Sequence, residues 1–287
     1  MCIKLVPPCS YQGGKQRLAK QIVGIILKQN EINEDTKFYD LCCGSGAITL
    51  ELINRGINPS NITMIDLSTW GLFWESIGNN TFDKNVFKKY LNDIPSDITK
   101  IKEYAKLLLS KPCNEGKIND EIYKFLILQS CAFGGTATWI ENNAWKKAGG
   151  LRNYWLPTQT SNRRSPVNPM MPMPKGLYER IENIVDCLNG KIIGINGDIS
   201  NIEWKFDKNS IIYIDPPYKN TQTYGFDFNY ENFIEKHKLI SSIYISEGYE
   251  MIDANERILL SKGRTKGNIN GNIKKKPTEE WLNIYKT

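Results

Sequence analysis

Histidine is almost missing from this chain. His237 is the only one in 287 residues, so imidazole-based triads and histidine-rich metal sites are nearly excluded, and any chemistry must come from carboxylates, backbone groups or a cofactor. Long apolar runs are missing too. The best candidate, residues 22–27, is bounded by Gln21 and Lys28 and falls far short of the roughly 20 apolar residues of a membrane helix. Paired cysteines are absent: Cys2, Cys9, Cys42, Cys43, Cys113, Cys131 and Cys187 form an odd set with neither a CxxC pair nor metal-ligand spacing. This points to a reducing cytoplasm and to no bound metal. A charged-then-apolar leader ending in a cleavage site is also lacking, so secretion is not expected.

What is present has ordinary proportions. Hydrophobic residues make up 40% and charged residues 24%, the balance of a globular protein, and the length suits one substantial α/β domain carrying a sizeable insertion. The excess charge of +6 is concentrated. Lys146, Lys147, Arg152, Arg163, Arg164, Lys175 and Arg180 stand against the single acid Glu179 within residues 145–180, and that stretch alone accounts for the whole excess.

Helical periodicity over residues 18–28 gives way to a strand at 37–41, a glycine-bearing turn at 43–46, a helix at 47–53 and a second strand at 62–65 that ends on Asp66. Helical stretches near 98–109 and 121–131, then a Gly, Asn, Trp, Arg and Pro-rich segment reaching 174, read as an insertion that carries recognition. Short Ile-rich strands at 191–195, 211–214 and 242–245 resume a parallel sheet. The tail, 257–260 and 280–285, reads as an antiparallel hairpin closing the sheet edge. The expected organisation is a catalytic domain of residues 1–92 and 190–287 around an inserted, mainly helical region, 93–189.

Two motifs carry chemistry. The turn Asp40-Leu41-Cys42-Cys43-Gly44-Ser45-Gly46 joins a strand to a helix, where bare glycines let a ligand approach the backbone and the helix N-terminus offers free N–H groups. Asp66, 20 residues after Gly46, is placed to accept hydrogen bonds from both ribose hydroxyls of a nucleoside. NAD would also suit this pattern. Thr49, however, stands where the dinucleotide fingerprint wants its third glycine, and an acid at position 40 fits an ammonium group better than a pyrophosphate. The balance favours S-adenosylmethionine. The second motif, Asp215-Pro216-Pro217-Tyr218, follows the apolar strand 211–214 at the carboxyl end of the sheet. An aromatic amine is a poor nucleophile because its lone pair is delocalised. Asp215 and the Pro216 carbonyl, held side by side, would accept both N–H bonds and favour a pyramidal nitrogen. The prolines fix φ near −65° and remove competing donors, and Tyr218 offers a flat face for a base turned out of a duplex. The plainer reading of this motif is an Asp-Pro turn after a strand.

With these motifs in place, residues 10–285 resemble the Dam-like family of DNA N6-adenine methyltransferases, in the compact form met in phages and mobile elements. The resemblance implies a Rossmann-like, class I S-adenosylmethionine-dependent methyltransferase sheet with an inserted DNA-recognition region. Ser10-Tyr11-Gln12-Gly13-Gly14-Lys15 looks like the family's N-terminal motif, which implies that Tyr11 and Lys15 contact the methionine end of the cofactor. Asp40, Gly44 and Gly46 match the cofactor loop, which nominates Cys42 and Ser45 beside them as cofactor contacts, although the family often has Glu-Pro-Phe in place of Asp40-Leu41-Cys42. Asp66 matches the ribose-binding acid, and Asp198 with Ile199 matches the site that holds the cofactor's adenine. Thr221, Tyr224 and Phe228 correspond to a loop over the flipped base. Cys131 through Trp155 resembles a DNA-reading hairpin, which with the basic cluster nominates Lys146, Lys147, Arg152, Arg163, Arg164 and Tyr224 as DNA contacts, while Trp139, Trp145 and Trp155 also suit a core.

The expected partner is double-stranded DNA and the expected state a monomer, in the cytoplasm of a bacterium or phage-infected host, where such enzymes accompany restriction-modification. The same fold acting on cytosine N4 or RNA, a non-catalytic DNA-binding relative and, last, a nicotinamide oxidoreductase are the competing readings. Asp215 argues against a protein-glutamine methyltransferase, which would favour Asn there.

Overall fold

The computed structural model describes residues 3–217, 229–262 and 279–286. They form a mixed α/β structure on a mostly parallel seven-stranded sheet. The strands β1 (Lys37–Leu41), β2 (Ile62–Asp66), β5 (Ile193–Asn196), β6 (Ser210–Ile214), β7 (Ser242–Glu247), β8 (Glu256–Ser261) and β9 (Glu280–Tyr285) lie in the order β5-β2-β1-β6-β7-β9-β8. The first five are parallel, and β9 runs antiparallel to both neighbours. The chain builds outward from β1 in one direction through β2 and β5, then returns to build in the other from β6. The reversal falls between β1 and β6, the topological switch point at which open α/β sheets hold ligands.

The tail departs from a simple edge hairpin. The last strand, β9, lies inside the sheet, and β8 takes the edge. Burial accounts for the arrangement: Leu282, Ile284 and Tyr285 of β9 are buried, whereas Glu256 and Arg257 of β8 are exposed and blunt an edge that would otherwise invite pairing.

Strand periodicity divides the core into two. Ile62, Met64, Ile211 and Tyr213 join Phe38 in a cluster packed by α1 (Ala19–Gln29), α2 (Ala47–Asn54) and α3 (Thr69–Gly78). Leu41, Ile65, Ile212, Ile214, Ile243 and Ile245 join the opposite cluster with Tyr230, Phe233 and Ile234 of α8 (Tyr230–His237). Successive strand residues alternate faces, so Asp40, Asp66 and Asp215 follow Phe38, Met64 and Tyr213 onto the side of α1 to α3. Three carboxylates thereby reach the carboxyl ends of three adjacent strands on one face. His237 packs against the rings of Phe206 and Phe233, each 4.8 Å away, and burial lowers its pKa. It is a neutral core histidine.

Between β2 and β5 lie α4 (Lys84–Asn92), α5 (Ile101–Ser110), α6 (Ile118–Cys131), a two-stranded hairpin of β3 (Thr138–Glu141) and β4 (Ala144–Lys147), and α7 (Pro174–Leu188). The hairpin turns on Asn142 and Asn143, both left-handed at φ 50° and 56°, as the tight turn between twisted strands requires. Its tip is tied down: the Cys113 amide donates to the Asn143 carbonyl at 2.9 Å and the Ile140 amide to Thr69 Oγ1 at 3.1 Å. Helix α7 starts with Pro174, whose missing N–H costs nothing in the first turn.

Candidate active site

At the switch point a cavity of about 250 Å³ is bounded by the 11–15 segment, the loop from β1 to α2, the ends of β2 and β6, and residues 197–199. Of the residues expected to bind a cofactor, Tyr11, Lys15, Asp40, Cys42, Gly44, Ser45, Asp66, Asp198, Ile199 and Asp215 all line it, as do Pro216 and Pro217. Gly46 stands just behind. Tyr218 and Tyr224, with Thr221 and Phe228, lie outside the described residues, as does the basic loop after Lys262.

The loop departs locally from what its glycines suggest. Gly44 (φ 49°), Gly46 (φ 76°) and Cys42 (φ 58°) are left-handed. A Cβ on Gly46 would come within 2.3 Å of the Trp74 indole, and one on Gly44 within 3.1 Å of the Tyr11 ring. These glycines therefore make room for two aromatic side chains of the protein itself, one on either side of the loop. The indole Nε1 of Trp74 also donates to the Gly44 carbonyl at 2.8 Å.

Asp40 is 2% exposed, and its Oδ2 accepts from the Thr49 amide at 3.1 Å and the Thr49 hydroxyl at 2.7 Å. It thus caps α2 from the neighbouring strand, satisfying a first-turn N–H that Gly46 has no side chain to reach. Thr49, in the dinucleotide fingerprint's third-glycine position, is the partner that makes this cap. Burial pushes Asp40 up to about 7, against the Thr49 hydrogen bonds and with the help of Asp215 and Asp66. Asp66 accepts from Gly44 N at 2.8 Å on one oxygen, and from Ser68 N at 2.9 Å and Ser68 Oγ at 2.5 Å on the other. Burial raises its pKa too, opposed by those bonds. Asp198 accepts from the Ser200 amide at 2.8 Å. Burial and the surrounding carboxylates keep Cys42 a neutral thiol.

Lys15 departs most from expectation. Its Nζ donates to Asp215 Oδ1 at 2.5 Å and to the Gly13 carbonyl at 3.0 Å, and lies 3.3 Å from Glu280 Oε1. Its ammonium is therefore engaged by the protein's own carboxylates rather than held out for a ligand carboxylate. Burial disfavours that charge, yet Asp215 and Glu280 more than offset it and hold the pKa above its ordinary value. Burial pushes Asp215 up to about 6, with Lys15 opposing and Glu280 adding. The Asp215 amide extends the ladder, donating to Leu41 O at 3.1 Å.

The N-terminal segment is sewn to the hairpin region. Buried Gln129 donates to the carbonyls of Ser10, Gly135 and Thr136 at 3.4, 3.2 and 3.1 Å, and accepts from Thr138 N at 3.0 Å. Gln12 N donates to Gly135 O at 2.7 Å.

The expected DNA contacts lie apart from the cavity. Lys146 and Lys147 are exposed on β4, and Arg163 and Arg164 are exposed beyond it. Arg152 is different: half-buried, it donates through Nε to Ala132 O at 3.1 Å, and burial lowers its pKa. Through that bond it braces the end of α6. Trp145 is buried, while Trp139 and Trp155 are half-buried. Among the described residues no group of three or more metal-ligating side chains comes together, and no helix is long and apolar enough to cross a membrane.

Glu280, Trp74 and Gln129 escape sequence reasoning, since each is brought in by tertiary contact from an element without a local motif. Thr49 was legible as a departure from a fingerprint, but its bond to Asp40 was not.

No protein-family model matches the chain, and no curated protein matches it.

Charge decides what the cavity favours. Asp40, Asp66, Asp198 and Asp215 line it against one ammonium, Lys15, which leaves it strongly negative when all are ionised. Such a cavity repels a pyrophosphate and attracts a cation.

Proposed function

We propose that this protein is an S-adenosylmethionine-dependent methyltransferase that acts on the exocyclic N6 of adenine in double-stranded DNA. The observation that carries the reading is the pairing of an acidic cavity at the switch point with Asp215-Pro216-Pro217 at its edge. S-adenosylmethionine is a net cation, which suits four carboxylates and one ammonium. The inner antiparallel β9 adds support, since it departs from the plain parallel order of dinucleotide-binding sheets.

When bound, the cofactor supplies a methyl group on a sulfonium, which departs as a neutral thioether. Asp66 is placed for its ribose hydroxyls, Asp198 and Ile199 for its adenine, and Tyr11 with Asp40 for its amino-acid end. Asp215 and the Pro216 carbonyl accept the two N–H bonds of the target amine and direct its lone pair along the transfer axis. No N–H exists on Pro216 or Pro217 to compete for that carbonyl. The product amine carries one hydrogen fewer, and Asp215, with a pKa of about 6, is the nearest acceptor for that proton. The exposed Lys146 and Lys147, with Arg163 and Arg164, supply phosphate contacts.

The test is direct. The protein is incubated with methyl-labelled cofactor and mixed-sequence duplex DNA, and the DNA is digested to nucleosides. Labelled N6-methyladenine supports the proposal; label in cytosine or nowhere overturns it.

A further inference from the structure

The buried ammonium of Lys15 occupies the carboxylate on which the proposed reaction depends. An ammonium has three N–H bonds, and among the described residues they face Gly13 O, Asp215 Oδ1 and Glu280 Oε1. An amine entering to bond with Asp215 at Oδ1 must compete with the contact at 2.5 Å. The Lys15 side chain is only 5% exposed, and a buried charge cannot be left unpaired without a large cost.

We infer that Glu280 is the second seat of the Lys15 ammonium, a positioning residue that takes over the ion pair when a substrate amine claims Asp215. This rests on the methyltransferase reading of Asp215. The exchange is small: the two carboxylate distances, 2.5 and 3.3 Å, differ by 0.8 Å, within the swing of a lysine side chain. Glu280 does not line the cavity; it reaches Lys15 from the first residue of β9, opposite Ser261. A register irregularity falls at that point, between Leu259 and Ser261 of β8, and irregularities of this kind re-aim a side chain at a strand end. The last strand of the sheet thereby delivers a carboxylate to a lysine held near the start of the chain. With Glu280 present, the pair Lys15 and Asp215 never has to separate into isolated buried charges.

The experiment compares wild type, Glu280→Gln and Glu280→Asp in labelled methyl transfer, with cofactor affinity measured by calorimetry. In Glu280→Gln the ammonium stays on Asp215, so kcat falls about tenfold while cofactor affinity holds within about twofold. The acid limb of the rate profile moves to lower pH, because a negative charge that raises Asp215 is gone. Glu280→Asp restores part of kcat. In a Lys15→Met background, if it folds, Glu280→Gln has no further effect. An unchanged kcat, or a lower kcat with the acid limb unmoved, overturns the inference. Wild-type protein that labels no adenine sinks the functional reading instead. In that case ¹³C NMR titration of the Asp215 carboxyl in wild type and Glu280→Gln still decides the coupling, and identical midpoints would refute it.

Discussion

Trp74 holds Gly44 in place from within the core: its Nε1 donates to the Gly44 carbonyl at 2.8 Å, and its ring occupies the space where Gly46 would carry a side chain. Trp74 is fully buried in α3, so the turn from β1 to α2 is shaped by an indole arriving 30 residues later in the chain. Two consequences are measurable. Trp74→Phe leaves a buried carbonyl without its donor and should cost about 1–3 kcal/mol, read as a lower urea midpoint. Gly46→Ala adds both a left-handed strain and a clash with the ring and should cost more than Trp74→Phe. Equal stability of Gly46→Ala and wild type would show that the indole is not the constraint.

Asp215 should be dispensable for folding and indispensable for transfer. Asp215→Ala removes the acceptor and leaves Lys15 its pairing with Glu280. We expect kcat to fall at least about a hundredfold, with far-UV circular dichroism unchanged. A folded Asp215→Ala protein with wild-type methyl transfer would remove the basis of the proposed chemistry.

The cavity acids make both stability and binding depend on pH. Asp40 rises from an ordinary 3.8 to about 7, and Asp215 from 3.8 to about 6, chiefly by burial. Between pH 4 and 7 the folded protein therefore holds more protons at these positions than the unfolded chain. Their contribution to stability is full below pH 4 and is lost as pH rises through 6 and 7. A cationic ligand has the opposite need, since it binds the ionised acids and expels their protons. Cofactor affinity should therefore weaken on acidification from pH 8 to 5.5, with proton release detectable by calorimetry in two buffers of different ionisation enthalpy. Affinity that is flat over that range would count against a cation in this cavity.

Lys146 and Lys147 sit side by side on β4, both exposed. Replacing each with Ala should weaken DNA binding evenly across sequences and lower the slope of log affinity against log salt by about one for each lysine replaced. Arg152→Ala should instead lower stability, because its guanidinium is bonded to Ala132 O. Filter binding at several salt concentrations, beside thermal melts, separates the two behaviours.

Gln129 ties three carbonyls and one amide from two parts of the chain. Gln129→Leu would leave the buried Thr138 amide without its acceptor and take a donor from the Ser10 and Thr136 carbonyls, while Gly135 O keeps Gln12 N, at a total of about 1–3 kcal/mol. Amide exchange at Gln12 and Thr138 should then accelerate together. Exchange that speeds up at only one of them would mean that the N-terminal segment and the hairpin are not held as a unit.

Much of the central sheet was readable in the sequence because parallel strands buried on both faces must be short apolar runs: 37–41, 62–65 and 211–214 are found as β1, β2 and β6 almost to the residue. The strand-turn-helix and strand-Asp-Pro-Pro segments carry their own local signals, so the residues that gather at the switch point could be named in advance. Helix α3 was not legible, since Thr69–Gly78 is buried nearly all round and shows no amphipathic stripe, and it contains two glycines, Gly71 and Gly78.

Chain order and alternation by themselves determined that Asp40, Asp66 and Asp215 end three strands. Which groups those acids meet was decided only by tertiary structure. Lys15 finds Asp215 across 200 residues and Glu280 from the last strand; Asp40 turns to Thr49; Arg152 turns inward to Ala132. Local sequence sets which face of a strand a side chain takes, because backbone geometry alternates it. It cannot set the partner, because a buried charge is satisfied by whichever distant element the packing of the whole sheet brings within about 3 Å.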